Sequence, residues 1–296
     1  MRVVHISDFH LPSRTDKQVN GVHPYENLKR AVGEIKLQNP KPDLVILGGD
    51  CFEEGEKGNY RTVMELFEGL QVPVHAVMGN HDHLPTLKKT SGLPLEGDCP
   101  GYHSFDHSGV HFVILNSVVN GKPHGRLEEE QLLWLNADLH EHRLEPVLIF
   151  LHHPPVDSGV AWLDKMRLLN AENFWGVIPP FSRNIKGVFA SHLHIALTCC
   201  YRQILVATTP GTCWQYAAGA DAAKAALSGE PPGFNVIDVG KTQVSVRTVR
   251  YPAVSTADLQ GMPSEAEKPA AQPDQQPRPD PASPGGFSAT AGSGGL

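Results

Sequence analysis

Short apolar runs, rich in β-branched residues, alternate with helical patterns over the first 190 residues. Six runs of strand length predict buried strands at residues 3–6, 44–47, 74–78, 110–115, 147–151 and 187–190. Between several of them, at residues 28–35, 60–70 and 132–139, apolar side chains recur every three or four positions, which predicts amphipathic helices. From residue 191 the pattern is of strands only, at 195–201, 204–208, 235–239 and 243–249. This order indicates an α/β layered sandwich.

The composition changes near residue 252. Residues 262–296 contain seven prolines and a single aromatic residue, Phe287. Such a segment buries too little apolar surface to offset the entropy lost on ordering. We therefore predict one folded domain at residues 1–252 and a Pro/Ala/Gly-rich disordered tail at residues 253–296. An inert extension and a tether for a partner are both compatible with the tail.

Charge and composition exclude several classes of protein. The 25 Lys and Arg against 32 Asp and Glu give a net charge of −7, which argues against nucleic-acid binding. No apolar run reaches the roughly 20 residues of a membrane span, and the N-terminus has no secretory-signal pattern. The five cysteines are odd in number and show no CxxC spacing, so we expect a cytoplasmic protein with reduced thiols. One number stands out, because the chain has 16 histidines.

Polar residues able to bind metals follow five of the predicted strands, where each strand ends. The five blocks are Asp8-Phe9-His10, Gly48-Gly49-Asp50, Gly79-Asn80-His81-Asp82, His152-His153-Pro154-Pro155 and Ser191-His192-Leu193-His194. Each block alone is compatible with an ordinary turn or a surface loop. Their placement at five strand ends is not, because the strand ends of an α/β sheet are where ligand sites collect.

The donor types in these blocks indicate which ions would bind. They supply imidazole, carboxylate and one amide oxygen without thiolate, which suits Mn²⁺, Fe, Zn²⁺ or Co²⁺. Seven ligands are more than one ion needs, so two ions sharing a carboxylate is the simplest interpretation. Two metals about 3.5–4 Å apart are suited to phosphoester hydrolysis.

The five blocks, in this order, resemble the signature of calcineurin-like metallophosphoesterases over residues 1–252. The resemblance implies a four-layer α/β/β/α sandwich with its site at the strand ends. It implies two metal sites sharing Asp50, one of Asp8, His10, Asp50 and His194 and one of Asp50, Asn80, His152 and His192. It further implies that His81 is a catalytic histidine that contacts the phosphate, and that Asp82 orients His81. Ser191 departs from the family, which usually has Gly at this position.

Finer features resemble the bacterial class III cyclic nucleotide phosphodiesterases. The block His152-His153-Pro154-Pro155, the segment Gly159–Asp164 and the segment Pro210–Cys213 carry this likeness. Close relatives cleave glycerophosphodiesters, and residues 201–203 resemble those as well. Trp162 is compatible either with stacking on a base or with ordinary packing. Members of the family form dimers, so the resemblance is compatible with a homodimer.

The resulting hypothesis is a metal-dependent phosphoric diester hydrolase acting on a small molecule. We expect 3′,5′-cyclic AMP to be cleaved to 5′-AMP by in-line attack of a hydroxide held between two metals, without a covalent intermediate. His81 would stabilise or protonate the leaving oxygen. Two alternatives stay open: a glycerophosphodiesterase or broad-specificity phosphodiesterase on the same site, and a non-catalytic scaffold that binds proteins. Neither nucleic acid nor a membrane is expected as a partner.

Overall fold

Two β-sheets lie face to face in this protein, with helices on both outer faces. The structure is a computed structural model that describes residues 1–93, 100–219 and 225–254. The strands in these ranges are β1 (Arg2–Ile6), β2 (Leu44–Leu47), β3 (Val74–Ala76), β4 (His103–His107), β5 (Val110–Ile114), β6 (Val147–Phe150), β7 (Ile185–Ala190), β8 (Thr198–Tyr201), β9 (Ile204–Thr208), β10 (Gln215–Tyr216), β11 (Leu227–Ser228), β12 (Gly233–Val239) and β13 (Val244–Arg250). The helices there are α1 (Pro24–Lys36), α2 (Tyr60–Glu68), α3 (Leu84–Thr90), α4 (Glu129–Glu141) and α5 (Ala171–Val177).

The first sheet has the strand order β13-β12-β1-β2-β3 and the second has β4-β5-β6-β7-β9-β8. Within the first, β1, β2 and β3 are parallel. Within the second, β5, β6, β7 and β9 are parallel. The carboxyl ends of parallel strands lie at one edge of a sheet, so the loops that carry the polar blocks leave each sheet together.

Alternate side chains of β2 show how both faces of the first sheet are buried. Leu44 and Ile46 pack in the cluster between the sheets, against Phe112 and Phe150 of the second sheet. Val45 and Leu47 point the other way, into the cluster that contains α1 and α2. A third cluster packs α4 and α5 on the outer face of the second sheet. The predicted four-layer α/β/β/α sandwich is therefore confirmed, and burial on both faces explains why these strands appear as unbroken apolar runs.

Several elements differ from the sequence prediction. β4, α3 and α5 were not predicted, because β4 is mostly polar and the two helices have only seven residues each. The predicted strand at 195–201 begins only at Thr198, because the hydroxyl of Thr208 bonds the backbone at Ile195 and Leu197 instead. This keeps residues 195–197 in the loop that follows His194.

The end of the domain also differs from the prediction. Val254 is buried, and its N–H donates to Asn27 Oδ1 at 2.7 Å. The packing of the domain therefore continues at least two residues beyond residue 252. The remainder of the predicted tail lies outside the described residues. Among the described helices, none has the length and apolar character that crossing a membrane requires.

Candidate metal centre

The residues predicted from sequence lie in five loops, each of which follows a strand of one of the two sheets. Asp8 and His10 follow β1, Asp50 follows β2, and residues 80–82 follow β3. His152 follows β6, and His192 and His194 follow β7. Loops of the two sheets meet here, because the Nδ1–H of His152 donates to the Gly48 carbonyl at 2.8 Å. The structure thus brings both halves of the predicted ligand set together.

Glycines allow the loops of the first sheet to approach one another. A Cβ on Gly79 would lie 2.2 Å from both the backbone nitrogen and Oδ1 of Asp50, so no larger residue fits there. Gly48 has a related role, because a Cβ on it would lie 2.2 Å from the Ser191 hydroxyl. The hydroxyl at the position where the family usually has Gly is therefore accommodated by the glycine opposite.

The backbone at these strand ends is strained. Five of the seven predicted ligands have left-handed φ angles between 46° and 70°: Asp8, His10, Asp50, His192 and His194. A residue with a Cβ costs about 1–3 kcal/mol in this region, and such residues cluster at functional sites. The fold therefore maintains an unfavourable backbone in order to aim these side chains inward.

In three histidines, an acceptor oxygen opposite Nδ1 fixes the tautomer. His152 donates to the Gly48 carbonyl, and His194 donates to the Trp214 carbonyl at 2.8 Å. His10 Nδ1 lies 2.7 Å from the Glu53 carboxylate. Since a carbonyl or carboxylate oxygen only accepts, each Nδ1 carries the proton and each neutral ring has a lone pair on Nε2. This arrangement is typical of metal-binding histidines, whose other nitrogen is held by an acceptor.

The first predicted ligand group, which consists of Asp8, His10, Asp50 and His194, brings nitrogen lone pairs close together. His10 Nε2 lies 3.1 Å from His194 Nε2, and when both rings are neutral neither nitrogen has a proton to donate. His194 Nε2 is 3.6 Å from Asp8 Oδ1, which is buried and has no hydrogen-bond partner in the described residues. Two facing lone pairs beside a buried carboxylate oxygen repel one another unless a proton or a metal ion lies between them. These donors therefore fit a metal ion.

The second predicted group meets the first at Asp50. Asp50 Oδ2 lies 3.7 Å from His10 Nε2 and 3.2 Å from His152 Nε2, so one carboxylate reaches both groups. His192 Nδ1 is 3.2 Å from His152 Nε2. Asn80 Oδ1 is buried without a hydrogen-bond partner in the described part of the chain. This placement fits Asp50 as the ligand shared by two ions.

Electrostatics supports the same interpretation. Burial, opposed by His152 and reinforced by the charge of Asp50, raises the pKa of Asp8 to about 6. Burial lowers the pKa of His152, but the nearby Asp50 carboxylate outweighs it and raises that pKa to about 9, so a metal ion that binds Nε2 takes the place of a proton there. Burial also lowers the pKa of His192 to about 3, so this ring is neutral and able to act as a ligand. Buried carboxylates this close to one another require positive charge beside them.

His81 lies next to this group. Its ring centroid is 4.9 Å from that of His10, and its backbone N–H donates to Asp50 Oδ1 at 2.9 Å. Its Nδ1 donates to the Glu53 carbonyl at 2.9 Å, which leaves Nε2 as the nitrogen able to exchange a proton with a substrate. The side chain is also partly exposed. The geometry fits a group that contacts a ligand at the edge of the metal centre.

Asp82 has a different position from the one that the resemblance implies. Its Oδ2 accepts the backbone N–H groups of Asp50 and Gly79, at 2.8 and 3.0 Å. Its Oδ1 accepts the Cys51 N–H and the Tyr60 hydroxyl, both at 3.0 Å. The interpretation that Asp82 orients His81 is therefore wrong, because four donors already occupy its carboxylate. Asp82 instead fastens the Asp50 loop to the Asn80 loop.

Glu53 is a residue that the sequence analysis missed. Its carboxylate holds His10 and its carbonyl holds His81, and the hydrogen bond from His10 lowers the pKa of Glu53. Nothing in the sequence marks it, since it stands three residues beyond the Gly-Gly-Asp block in an acidic stretch. Only the folded loop shows that one residue orients both histidines.

Replacing Glu53 should weaken metal binding. We expect Glu53→Ala to lower the affinity for Mn²⁺ by about 10- to 100-fold, because the outer partner of a metal-binding histidine fixes its tautomer and orientation. Glu53→Gln, which retains an acceptor oxygen, should recover part of this loss. Isothermal titration calorimetry measures it, with Glu54→Ala as the control because Glu54 pairs with Lys57 at the surface. Equal affinities for Glu53→Ala and Glu54→Ala would contradict the role of Glu53.

Known proteins resemble this chain in sequence and in fold. The family model described as calcineurin-like phosphoesterase matches residues 1–196. The chain is 30% identical over 248 residues to a probable glycerophosphodiester phosphodiesterase, GpdQ, of Arcobacter nitrofigilis, an alignment that covers 80% of this chain and 88% of that protein. It is 29% identical over 216 residues to the 3′,5′-cyclic adenosine monophosphate phosphodiesterase CpdA of Escherichia coli K12, covering 73% and 78%. A solved dimetal phosphatase from Danio rerio aligns with a TM-score of 0.63 at 19% identity, covering 86% and 97%, which bears on the fold alone.

Proposed function

The chain belongs to the calcineurin-like phosphoesterase family and is a metal-dependent phosphodiester hydrolase, and from this premise we propose that it cleaves 3′,5′-cyclic AMP to 5′-AMP. One observation carries the proposed mechanism: the Nε2 atoms of His10, His152 and His194 converge with Asp8 and Asp50 as lone-pair donors. The ligands of the two ions would be Asp8, His10, Asp50 and His194 for one, and Asp50, Asn80, His152 and His192 for the other. Bound Mn²⁺, Fe, Zn²⁺ or Co²⁺ ions would supply Lewis acidity and lower the pKa of water.

Residues of the chain position the substrate around this centre. In the proposed mechanism the Asp50 carboxylate joins the two ligand groups and also accepts the His81 N–H, so the phosphate site and His81 are fixed to one side chain. His81, held through Nδ1, donates from Nε2 to the oxygen that leaves phosphorus. Direct attack by water needs no nucleophilic side chain. The nearby thiols are unsuited to that role, since burial raises the pKa of Cys51 and Cys213 well above the usual value.

A second candidate substrate comes from the other named relative. The Arcobacter nitrofigilis protein is described as a probable glycerophosphodiester phosphodiesterase, and its alignment covers more of this chain than that of the E. coli protein. Both activities break a P–O ester bond of a phosphodiester, so the same ligand groups and the same His81 serve either. The two substrates differ in what lies beyond the phosphate.

A comparison of specificity constants tests the proposed substrate. We expect purified protein loaded with Mn²⁺ to have a higher kcat/KM for 3′,5′-cyclic AMP than for glycerophosphoethanolamine, with 5′-AMP as the product. Chromatography of the products identifies which ester bond breaks. A higher kcat/KM for glycerophosphoethanolamine would reverse the order of the two candidates. We also predict a cytoplasmic location, which accords with an intracellular nucleotide as substrate.

A further inference from the structure

A row of aromatic rings leads outward from the metal centre. The Trp214 ring lies over the imidazoles of His10 and His194, with centroids 4.9 and 5.4 Å apart. The Tyr216 ring lies 4.9 Å from that of His194. Trp162 lies one step further, with its ring 5.0 Å from Tyr216. Trp214 is buried, whereas Tyr216 and Trp162 are partly exposed.

Tyr216 faces the metal centre. Its ring contacts that of His194, one of the predicted metal ligands, and is partly exposed. The ring is therefore accessible to a ligand beside the predicted metal centre.

Trp162 and Tyr216 form a corner. Their planes are perpendicular, at 90°, so a flat group that stacks on one ring meets the other in an edge-to-face arrangement. Both geometries are favourable for aromatic pairs at centroid distances of about 4.5–7 Å. An aliphatic glycerol group gains nothing comparable from such a corner.

The indole of Trp162 has an unused donor. Its N–H is buried and has no acceptor among the residues that the structure describes. Buried N–H groups nearly always have a partner, so an unpaired one needs an explanation. The edge of a nucleobase carries nitrogen and oxygen acceptors of the kind that this N–H lacks. Trp162 and Tyr216 both pack against the cluster of Val160, Leu163 and Leu193, and Leu193 lies between His192 and His194.

We propose that Trp162 and Tyr216 form a base-binding wall, so that the substrates of this site carry a planar nucleobase beyond the phosphate. This inference rests on the proposed function and deepens it, because it favours a cyclic nucleotide over a glycerophosphodiester. Bound metal ions would hold the phosphate, and the wall would select what is attached to it. Stacking of a base on an aromatic side chain is worth about 1–3 kcal/mol, or roughly 5- to 150-fold in affinity.

Competitive inhibition by 5′-AMP and ribose 5-phosphate isolates the base, since the two ligands share sugar and phosphate. With bis(p-nitrophenyl) phosphate as the reporter substrate, we expect the wild type to have a Ki for 5′-AMP about 10- to 100-fold below that for ribose 5-phosphate. Trp162→Ala should raise the Ki for 5′-AMP and leave that for ribose 5-phosphate unchanged. Trp162→Phe should retain most of the difference, and Trp134→Ala, on α4, is the control for loss of a tryptophan elsewhere.

The outcomes separate this inference from the proposed substrate. Equal rises in both Ki values for Trp162→Ala, or no change in either, would overturn the base-binding wall. A wild type that shows the expected Ki pattern but does not hydrolyse 3′,5′-cyclic AMP would support the wall and refute the proposed substrate. Hydrolysis of 3′,5′-cyclic AMP with equal Ki values for the two inhibitors would support the proposed substrate and refute the wall.

Discussion

Replacing Asp50 with Asn should abolish turnover and metal retention together. We expect kcat/KM for bis(p-nitrophenyl) phosphate to fall about 10³- to 10⁵-fold, because Lewis-acid stabilisation is worth several kcal/mol and each 1.36 kcal/mol is a factor of ten in rate. The substitution conserves shape and removes only the charge that His10 and His152 face. Steady-state kinetics and metal analysis of the same preparation measure both effects.

A surface carboxylate provides the matched control for Asp50. Asp238→Asn removes a charge from β12, where the residue pairs with Arg2 on the neighbouring β1. This variant should have kcat/KM within about twofold of the wild type, since Asp238 belongs to neither of the two proposed ligand groups. Activity of Asp50→Asn close to that of the control would refute the role of Asp50 as the shared ligand.

His81→Ala should lower kcat by about 10²- to 10⁴-fold while leaving the metal content nearly unchanged. The reason is that His81 Nε2 acts on the leaving oxygen in the proposed mechanism, whereas neither of the two proposed ligand groups includes His81. The loss should depend on the leaving group. It should be large for 3′,5′-cyclic AMP, which releases an alkoxide, and smaller for bis(p-nitrophenyl) phosphate, which releases a stable phenolate without needing a proton.

His83 offers a control histidine close to His81. Its Nδ1 bonds the Thr86 hydroxyl at 2.8 Å, and it precedes the first residue of α3. His83→Ala should therefore retain kcat on both substrates. Equal losses on the two substrates for His81→Ala, or loss of the metals in that variant, would contradict its assignment as the proton donor.

The sequence predicts the parts of the fold in which burial dictates composition. β2 has the predicted limits, because a parallel strand buried on both faces must be apolar at every position. β4 shows the converse, since its mixed residues, His103 to His107, carry no periodic signal and the strand forms only by pairing with β5. A strand of this kind is specified by the strand it pairs with, and the local pattern of apolar residues does not contain that information.

The candidate site likewise has a part that the sequence predicts, the ligands, and a part that it does not, the backbone and the contacts that support them. Residue type and position at strand ends predicted the seven candidate ligands that the structure brings together, from Asp8 to His194. Sequence did not predict the left-handed backbone of Asp8 or Asp50, because tertiary packing holds it. It did not predict Glu53 either, and it gave Asp82 a wrong partner. Hydrogen bonds that support a ligand come from wherever the loops meet, so spacing along the chain does not specify them.

The number of metal ions per chain tests the central claim most directly. After loading with Mn²⁺ and removal of free metal, elemental analysis of the wild type should give two ions per chain. Asn80→Ala should retain about one, because the first group, Asp8, His10, Asp50 and His194, does not include Asn80. A wild type that binds one ion or none, or an Asp50→Asn variant that still binds two, would contradict a centre built on a shared Asp50.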